Sequence, residues 1–501
     1  MLSYRYPTGS SNFEYKEAAP VLSRSIHPDP ARISTPFIAG ATGVLLTLAI
    51  AARLYVGMFV MDDAYITFRY AQNIAHHWSF VYNAGERVLG TTTPLFAMVL
   101  AGVSALGVPL EGFSFGWAIA CDAGVILLLV AALHQSGCSR GALCAAAFIA
   151  TAPLGITFTA SGMETAFYSL LVIAAIRAAA AALNGASPWP ASVLLGLVCL
   201  CRPDGALVPV AVAVVAALRR RPRAVRLMWG AALVLLPWAA FALWYFGSPV
   251  PQSVRTKALL VTPDRLLSAK IVGAHFFHGV YPIVSAAALA GAVRLWRQHD
   301  VFWQTLAIWW GIYLSLFVAA NAFAHAFWYL APLMAAYFAF AAAGLDLVLR
   351  RWQPRYALVV CLAIVVVAAR ALPGHRRILA ESWGFREARY LRIGHEIARS
   401  PFTCAVAATE IGALGYAYPG RIVDLAGLVT PSATRVPLDE LLHNENAAWV
   451  VTHNIFLPAA LRNSAWFARE FRLLRSEEIS KGRTLDIWFR PGAQCGPKAG
   501  G

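Results

Sequence analysis

Two adjacent aspartates, Asp62 and Asp63, follow the first long apolar segment of the chain. A carboxylate in this position can act as a general base by removing the proton of an attacking hydroxyl group. Two neighbouring carboxylates can also differ in pKa, so that one acts as the base while the other orients or binds. Either aspartate alone could instead cap a helix that begins here. Because acids at a membrane boundary are costly to bury, the pair predicts a site of proton transfer.

Cationic side chains at other points of the chain could hold an anion such as a phosphate. Arg202 lies in a tight turn between two short apolar segments, and Arg255 and Lys257 follow a longer one. The forked guanidinium group of arginine matches phosphate oxygens in geometry. The alternative is that these side chains extend along the membrane surface and bind nothing. Two further candidates for phosphate binding are Arg69 and His325.

The composition is that of a membrane protein. The 501 residues are 59% hydrophobic and 13% charged, against about 45–50% and about 25% in soluble domains. The apolar residues form runs of about 15 to 24, the length that crosses a hydrocarbon core of roughly 30 Å. We predict about eleven membrane-spanning helices: 37–60, 114–134, 141–158, 163–183, 187–201, 205–218, 228–246, 272–294, 301–320, 326–349 and 356–372.

The positive charge of the chain fits this interpretation. The formal net charge of +16 is concentrated in short arginine-rich loops at 219–226, 294–297 and 350–355. Loops of this kind remain on the cytoplasmic side, so the charge does not indicate nucleic acid as a partner. The lipid bilayer is the expected partner instead. The histidines and cysteines lack the spacing of a metal site, and we expect neither a metal nor another cofactor.

The arginine loops also predict the orientation of the chain. Residues 1–36 form a cytoplasmic polar leader, and residues 37–372 form the transmembrane domain. The long loop 61–113 lies outside, with the apolar stretch Thr92–Val108 lying in the interface without crossing the membrane. Residues 373–501 alternate apolar and polar side chains and predict a small extracytoplasmic α/β domain. If that domain is outside, Cys404 and Cys495 could form a disulfide.

Five blocks of the sequence, taken in order, resemble bacterial membrane glycosyltransferases of the GT-C class, notably the mycobacterial-type arabinofuranosyltransferase group. The blocks are DDAYITFRYAQNIAHHWSFVYNAGERVLGTTTPLF from residue 62, SGMETAFYSLL from 161, CRPDG from 201, YFGSPVPQSVRTK from 245 and EIGALGYAYPGRIVDLAGLV from 410. The resemblance covers most of the chain. It implies a mainly α-helical polytopic GT-C fold in the inner membrane of a bacterium, with the active site facing the periplasm.

The resemblance also implies an activity. The expected reaction is the inverting transfer of a sugar, D-arabinofuranose first, from a polyprenyl-phosphate donor to an envelope glycan or surface protein. The base is Asp62 or Asp63, with a preference for Asp62 because related enzymes use the first acid of such a pair. The candidates for binding the sugar or the acceptor are Tyr65, Glu86, Glu164, Tyr329 and Asp424.

Purely structural roles are alternatives to these assignments. Glu164 could cap a helix, and Asp424 could lie at a turn or strand end. For the whole protein, a lipid-linked sugar flippase or small-solute transporter is the main alternative, since charges inside a membrane also mark transport pathways. A non-catalytic envelope scaffold is the second. The polar motifs gather on one face of the predicted topology, which favours the enzyme.

The predicted topology can be tested by labelling. A cysteine introduced at Gly112 should react with a membrane-impermeant thiol reagent from outside, because Thr92–Val108 does not cross. A reporter inserted at Arg221 should be cytoplasmic, and one fused after Leu372 should be extracytoplasmic. Labelling of the Gly112→Cys variant only in broken cells would show that Thr92–Val108 spans the membrane.

Overall fold

A computed structural model describes residues 33–259, 264–324, 326–400, 402–454, 457–480 and 482–497. Most of the predicted leader, residues 1–32, lies outside the described residues, as does His325. The architecture is a bundle of apolar helices followed by a small domain built around a β-sheet. The predicted fold class is therefore confirmed.

The helices occupy most of the chain before residue 400. The α-helices are α1 (Thr35–Val56), α2 (Asp62–His77), α3 (Pro94–Ala105), α4 (Leu110–Gln135), α5 (Ser139–Thr151), α6 (Pro153–Ala160), α7 (Thr165–Leu183), α8 (Pro188–Cys201), α9 (Leu207–Leu218), α10 (Ala224–Phe246), α11 (Gln252–Leu259), α12 (Leu267–Phe277), α13 (Tyr281–Arg297), α14 (Val301–Ala319), α15 (Ala331–Leu349), α16 (Arg355–Leu379), α17 (Phe385–Ala398), α18 (Gly412–Ala417), α19 (Leu438–Asn444), α20 (Ala459–Arg462) and α21 (Ala465–Glu470). Short 3₁₀ turns cover Pro203–Ala206, Ala322–Ala324, Phe327–Leu330 and Pro431–Thr434.

Seven helical segments of the described chain are long and apolar enough to cross a membrane, or nine if each of two bent pairs is one span. The bent pairs are α5 with α6 and α12 with α13, which turn by 48° and 89°. The other two predicted spans coincide with shorter apolar helices, Pro188–Cys201 and Pro203–Leu218. Helix α3, inside Thr92–Val108, has 12 residues and is about 18 Å long at 1.5 Å per residue, less than the roughly 30 Å of a hydrocarbon core.

The last helix of the bundle extends beyond the predicted span 356–372. We expected the C-terminal domain to begin at residue 373. Helix α16 instead runs through Pro373 and continues, through a π-helical turn at Ala380–Gly384, into α17. The last span and the first element of the C-terminal domain are thus one continuous helical segment.

The C-terminal domain is layered around a five-stranded sheet. Its strands are β2 (Ala405–Ala408), β3 (Ile422–Asp424), β4 (Ala447–His453), β5 (Arg472–Ser480) and β6 (Arg483–Phe489), in the order β3-β2-β4-β6-β5; the short β1 (Phe402–Thr403) and β7 (Gly496–Pro497) pair apart from it. Strand β2 is parallel to β3 and β4, and β6 is antiparallel to β4 and β5. One face of the sheet packs on α17, α18 and the first loop, and the other packs on α19 and α21.

The two ends of the domain are joined covalently. Cys404 follows β1 and Cys495 precedes β7, and the two form a disulfide with Cα atoms 4.7 Å apart. The remaining six cysteines of the chain are free. A disulfide is typical of an oxidising compartment, which agrees with the extracytoplasmic side that the loop charges predict for this domain.

The disulfide can be tested by counting thiols. Alkylation of the denatured protein should modify six cysteines without a reductant and all eight after reduction. The Cys404→Ser/Cys495→Ser variant should unfold more easily, because losing a native disulfide typically costs about 2–5 kcal/mol. Cys121→Ser provides the control, since Cys121 is free. Eight reactive thiols in unreduced protein would contradict the pairing.

Candidate active site

A polar cavity lies where the first loop, the helical bundle and the C-terminal domain meet. It is lined by Asp63, Ile66, Thr67, Gly90, Thr91, Thr92, Thr93, Met163, Glu164, Arg202, Ser253, Lys257, Trp328, Tyr329 and Leu428. Its volume is about 50 Å³, whereas ligand pockets usually have about 300–1,000 Å³. The walls must therefore separate before a ligand of ordinary size can enter.

Asp63 and Lys257 bring opposite charges together at this cavity. Asp63 lies in the first turn of α2 and Lys257 on α11. The Lys257 Nζ atom is 4.0 Å from the Asp63 Oδ2 atom, and both side chains remain partly exposed. The same ammonium group lies 5.5 Å from the centre of the Trp328 ring. A base and a cation thus border one space that solvent can reach.

Arg202 forms the buried wall of the cavity. Its guanidinium group donates to Glu164 Oε1 at 3.2 Å and to both carboxylate oxygens of Asp204, at 2.9 and 3.1 Å. It is also sandwiched between the rings of Tyr168 and Tyr329, whose centres lie 4.9 and 4.8 Å away. Two carboxylates face one guanidinium, so Arg202 is already neutralised. Arg202 therefore holds Glu164 in place.

Glu164 reaches the same cavity from the start of α7. The residue occupies the N-cap position of α7, but its side chain makes no capping hydrogen bond there. The side chain of Glu164 therefore does not cap α7.

Three threonine hydroxyl groups cluster in the wall of the cavity. The Thr67 hydroxyl lies 3.4 Å from that of Thr91 and 3.3 Å from that of Thr93, and the last two are 3.1 Å apart. The sequence did not single these residues out, although Thr91–Thr93 form a run that precedes Pro94 in the first loop. Hydroxyl groups that donate and accept suit a ligand rich in hydroxyls.

Asp62 points away from the cavity, which changes the predicted preference for it as the base. Its carboxylate accepts hydrogen bonds from the backbone N–H groups of Gly412 and Ala413, both at 2.8 Å. Burial, with the carboxylates of Glu410 and Glu387 nearby, raises the pKa of Asp62 to about 8. A carboxyl group that is buried, points away from the cavity and is bonded to backbone cannot take a proton from a substrate there. Asp63 is the better candidate.

Arg69 also serves the contact with the C-terminal domain. Its guanidinium group donates to the carbonyl oxygens of Gly415 at 2.6 Å, Tyr418 at 3.0 Å and Gly420 at 2.7 Å. Its Nε atom donates to the carbonyl of Tyr82 at 2.8 Å. These bonds occupy the N–H groups that would otherwise bind a phosphate. We therefore assign Arg69 to attaching the C-terminal domain and not to binding a phosphate.

Two predicted substrate ligands from the first loop lie in the same contact. Tyr65 packs against Tyr416 of the C-terminal domain, with ring centres 5.1 Å apart. Glu86 accepts from Arg421 Nε at 2.5 Å, and Arg421 also contacts Glu445. Neither Tyr65 nor Glu86 lines the cavity. Both side chains join the two domains, and the structure gives them no contact with the candidate site.

Asp424 shapes the cavity wall without entering it. Its buried carboxylate accepts from the backbone N–H groups of Ala426 and Val429, both at 2.9 Å, and also from that of Leu428. Burial outweighs these hydrogen bonds and raises its pKa to about 6. The turn so formed presents Leu428 to the cavity. Asp424 thus has the turn role that the sequence left open.

Arg255 is the remaining predicted phosphate ligand that the structure describes. It is exposed on α11, donates to Ser248 Oγ at 2.6 Å and does not line the cavity. The site therefore unites Asp63, Glu164, Arg202, Lys257 and Tyr329 of the predicted residues. Among the other lining residues, sequence reasoning missed Thr67, Thr91, Thr93, Ser253, Trp328 and Leu428.

Solved structures with a similar architecture identify the fold. ArnT from Cupriavidus metallidurans bound to undecaprenyl phosphate matches with a TM-score of 0.58 at 15% identity, over 91% of this chain and 98% of ArnT. The apo form of ArnT matches with a TM-score of 0.59 at 14% identity, over 90% and 98% of the two chains. The chain has a GT-C fold. The Archaeoglobus fulgidus oligosaccharyltransferase, tethered to an acceptor peptide, shares this fold with a TM-score of 0.55 at 14% identity, over 83% and 69% of the two chains.

Sequence comparison adds one match within this GT-C chain. Residues 378–488 match a family model described as a domain of unknown function, DUF8728. This range begins near the end of α16 and covers α17 and the five-stranded sheet. A comparison with curated protein sequences found no match.

Separate roles for the two aspartates predict that their replacement changes stability by different amounts. Asp62→Asn removes one of two carboxylate oxygens that accept backbone N–H groups and turns an NH₂ group towards a donor. Leaving a buried hydrogen-bonding group unpaired costs about 1–3 kcal/mol. Asp63→Asn lies at a partly exposed site and should change the free energy of unfolding by less than about 0.5 kcal/mol. Thermal unfolding of the detergent-solubilised variants measures both.

The pH dependence of unfolding gives a second test. Because the folded-state pKa of Asp62 is raised from 3.8 to about 8, the stability that its neutral form contributes is complete below about pH 4 and lost as pH rises through 8. The difference between wild type and Asp62→Asn should therefore shrink from pH 5 to pH 9. A difference that grows over this range would show that Asp62 is ionised in the folded protein.

Proposed function

We propose that this protein is an inverting glycosyltransferase that moves a sugar from a polyprenyl-phosphate donor to an acceptor hydroxyl group. The observation that carries the proposal is the placement of Asp63 and Lys257 beside each other at one polar cavity, 4.0 Å apart. Transfer from a lipid phosphate needs a base for the acceptor and a cation for the leaving group. The two residues supply these functions, and the GT-C fold is the fold of such enzymes among the matched structures.

The proposed reaction is a single displacement. Asp63 accepts the proton of the acceptor hydroxyl group while the oxygen of that hydroxyl group attacks the anomeric carbon of the sugar. The bond between that carbon and the phosphate oxygen breaks, and its electron pair leaves with the lipid phosphate. Attack opposite the leaving group inverts the anomeric configuration. Lys257 stabilises the negative charge that develops on the phosphate, because a fixed cation is worth most where charge appears.

The rest of the cavity orients the sugar in this proposal. The hydroxyl groups of Thr67, Thr91 and Thr93 and the carboxyl group of Glu164 offer donors and acceptors around the space between Asp63 and Lys257. Arg202 fixes Glu164 at 3.2 Å. Contacts of this kind hold the reacting atoms in line, which lowers the barrier without new covalent chemistry.

Two observations support the proposed identity of the sugar donor. One matched GT-C structure contains undecaprenyl phosphate, which supports a polyprenyl carrier by analogy of fold. The five sequence blocks resemble the arabinofuranosyltransferase group, and we propose D-arabinofuranose as the sugar. The other matched structure carries an acceptor peptide, so a surface protein stands beside an envelope glycan as the proposed acceptor. The charges of the arginine-rich loops support a site that faces the periplasm of the bacterial inner membrane.

The catalytic assignment predicts a split between turnover and binding. Asp63→Asn should lower kcat by roughly 10²–10⁴-fold, as expected for a lost general base, with little change in the KM for the donor. Lys257→Met should raise the donor KM and lower kcat. Release of polyprenyl phosphate by purified protein measures both, and Glu381→Gln, an exposed acid on the same chain, is the matched control. Near-normal turnover of the Asp63→Asn variant would remove Asp63 from the reaction.

The sugar is tested by exchanging it. Polyprenyl-phosphate donors that carry arabinofuranose, a second pentose or a hexose should be consumed at rates that differ by more than tenfold, with arabinofuranose fastest. Equal use of all three would contradict the proposed specificity while leaving the transferase intact. Movement of intact donor across a reconstituted bilayer without release of polyprenyl phosphate would instead identify a flippase.

A further inference from the structure

The turn between α9 and α10 concentrates positive charge at one end of both helices. Arginines occupy positions 219, 220, 221, 223 and 226, and residues 205–263 contain neither aspartate nor glutamate. Arg220 and Arg221 are exposed. No acid of this segment neutralises them, so the turn presents several guanidinium groups at one surface of the helical bundle.

The backbone of this turn holds an arginine where glycine is usual. Arg220 N–H donates to the carbonyl of Ala217 at 3.0 Å and Arg221 N–H to that of Ala216 at 2.8 Å. This pair of bonds is the Schellman motif that ends many helices, and its left-handed position favours glycine. Arg220 occupies that position with φ of 50°. Residues with a Cβ atom are disfavoured there, and such outliers often accompany function.

An apolar groove opens directly below these guanidinium groups. Helix α9 packs on α14 whereas α10 packs on α8, so the two helices diverge from their shared turn. The groove between them has a volume of about 910 Å³. Its walls are Ala213, Ala216 and Ala217 on one side and Val225, Met228, Trp229 and Ala232 on the other, with Arg220, Arg221 and Pro222 at its mouth.

The groove is distinct from the candidate active site. Arg202, in the wall of the active-site cavity, precedes the helical segment Pro203–Leu218, and Arg220 follows it. Arg220 lies 18 positions after Arg202, which corresponds to about 27 Å at 1.5 Å per residue. The two arginines thus lie at opposite ends of one helical segment, so a single lipid phosphate cannot serve both.

We propose that this groove binds an anionic phospholipid, with one acyl chain between α9 and α10 and the headgroup phosphate on Arg220 and Arg221. Charge selects the lipid, because a forked guanidinium group recognises phosphate oxygens, and basic pockets between membrane helices favour acidic headgroups. The apolar walls fit a hydrocarbon chain, and the small alanines leave room for it. A zwitterionic lipid carries an ammonium group that two arginines would repel.

Titration of the purified full-length protein with dioleoyl phosphatidylglycerol and dioleoyl phosphatidylcholine, followed by native mass spectrometry, tests the proposal. Wild type should bind phosphatidylglycerol at least tenfold more tightly than phosphatidylcholine. Arg220→Gln/Arg221→Gln should lose about fivefold in affinity for each arginine. Ala217→Phe, which fills the groove but keeps every charge, should also weaken binding, since Ala217 is exposed along it.

The matched control is Arg350→Gln/Arg351→Gln, a second pair of adjacent exposed arginines after α15. It removes the same charge and should leave phosphatidylglycerol affinity unchanged. Equal losses for the two arginine pairs would show that net charge and not this groove attracts the lipid. Normal affinity in Ala217→Phe would also overturn the proposal, because it would place the headgroup on the arginines without a chain in the groove.

Discussion

The attachment of the C-terminal domain to the start of α2 is the contact on which the active site depends. The Asp62 carboxylate receives the first backbone N–H groups of α18, and the Asp62 N–H donates to Glu387 Oε1 at 3.1 Å. A Cβ atom on Gly412 would come within 1.7 Å of the Asp62 carbonyl oxygen, so only glycine allows this approach. Asp62, the residue next to the proposed base Asp63, is therefore held by hydrogen bonds of both its side chain and its backbone.

The same attachment explains why two adjacent acids have different environments. Successive residues of a helix point about 100° apart, so Asp62 and Asp63 cannot both face the cavity. The C-terminal domain buries the first and raises its pKa, while the second stays beside Lys257 in reach of solvent. The carboxylate that stabilises the assembly and the carboxylate that we propose for chemistry are thus separate groups within one turn.

The sequence was sufficient for the features that depend on local pattern. Apolar run length predicted the helical segments, and alternation after residue 373 predicted the α/β domain. The acid pair and the motifs around Glu164, Arg202 and Lys257 directed attention to the cavity. Local pattern could not choose between Asp62 and Asp63, because the choice is made by Gly412 and Ala413, which lie 350 residues later. The contacts of Arg69 and Glu86 could not be predicted for the same reason, since their partners are also in the C-terminal domain.

Helix α16 and its continuation α17 give the molecule a mechanical property. The helical segment Arg355–Ala398 contains 44 residues, about 66 Å at 1.5 Å per residue, and its far end packs against the sheet. A rigid segment of this length converts a small tilt within the bilayer into a displacement of several ångströms at the domain. The π-helical turn at Ala380–Gly384 is the point along it where the regular hydrogen-bond pattern changes. A change in the tilt of this helix would thereby move the domain that covers the candidate active site.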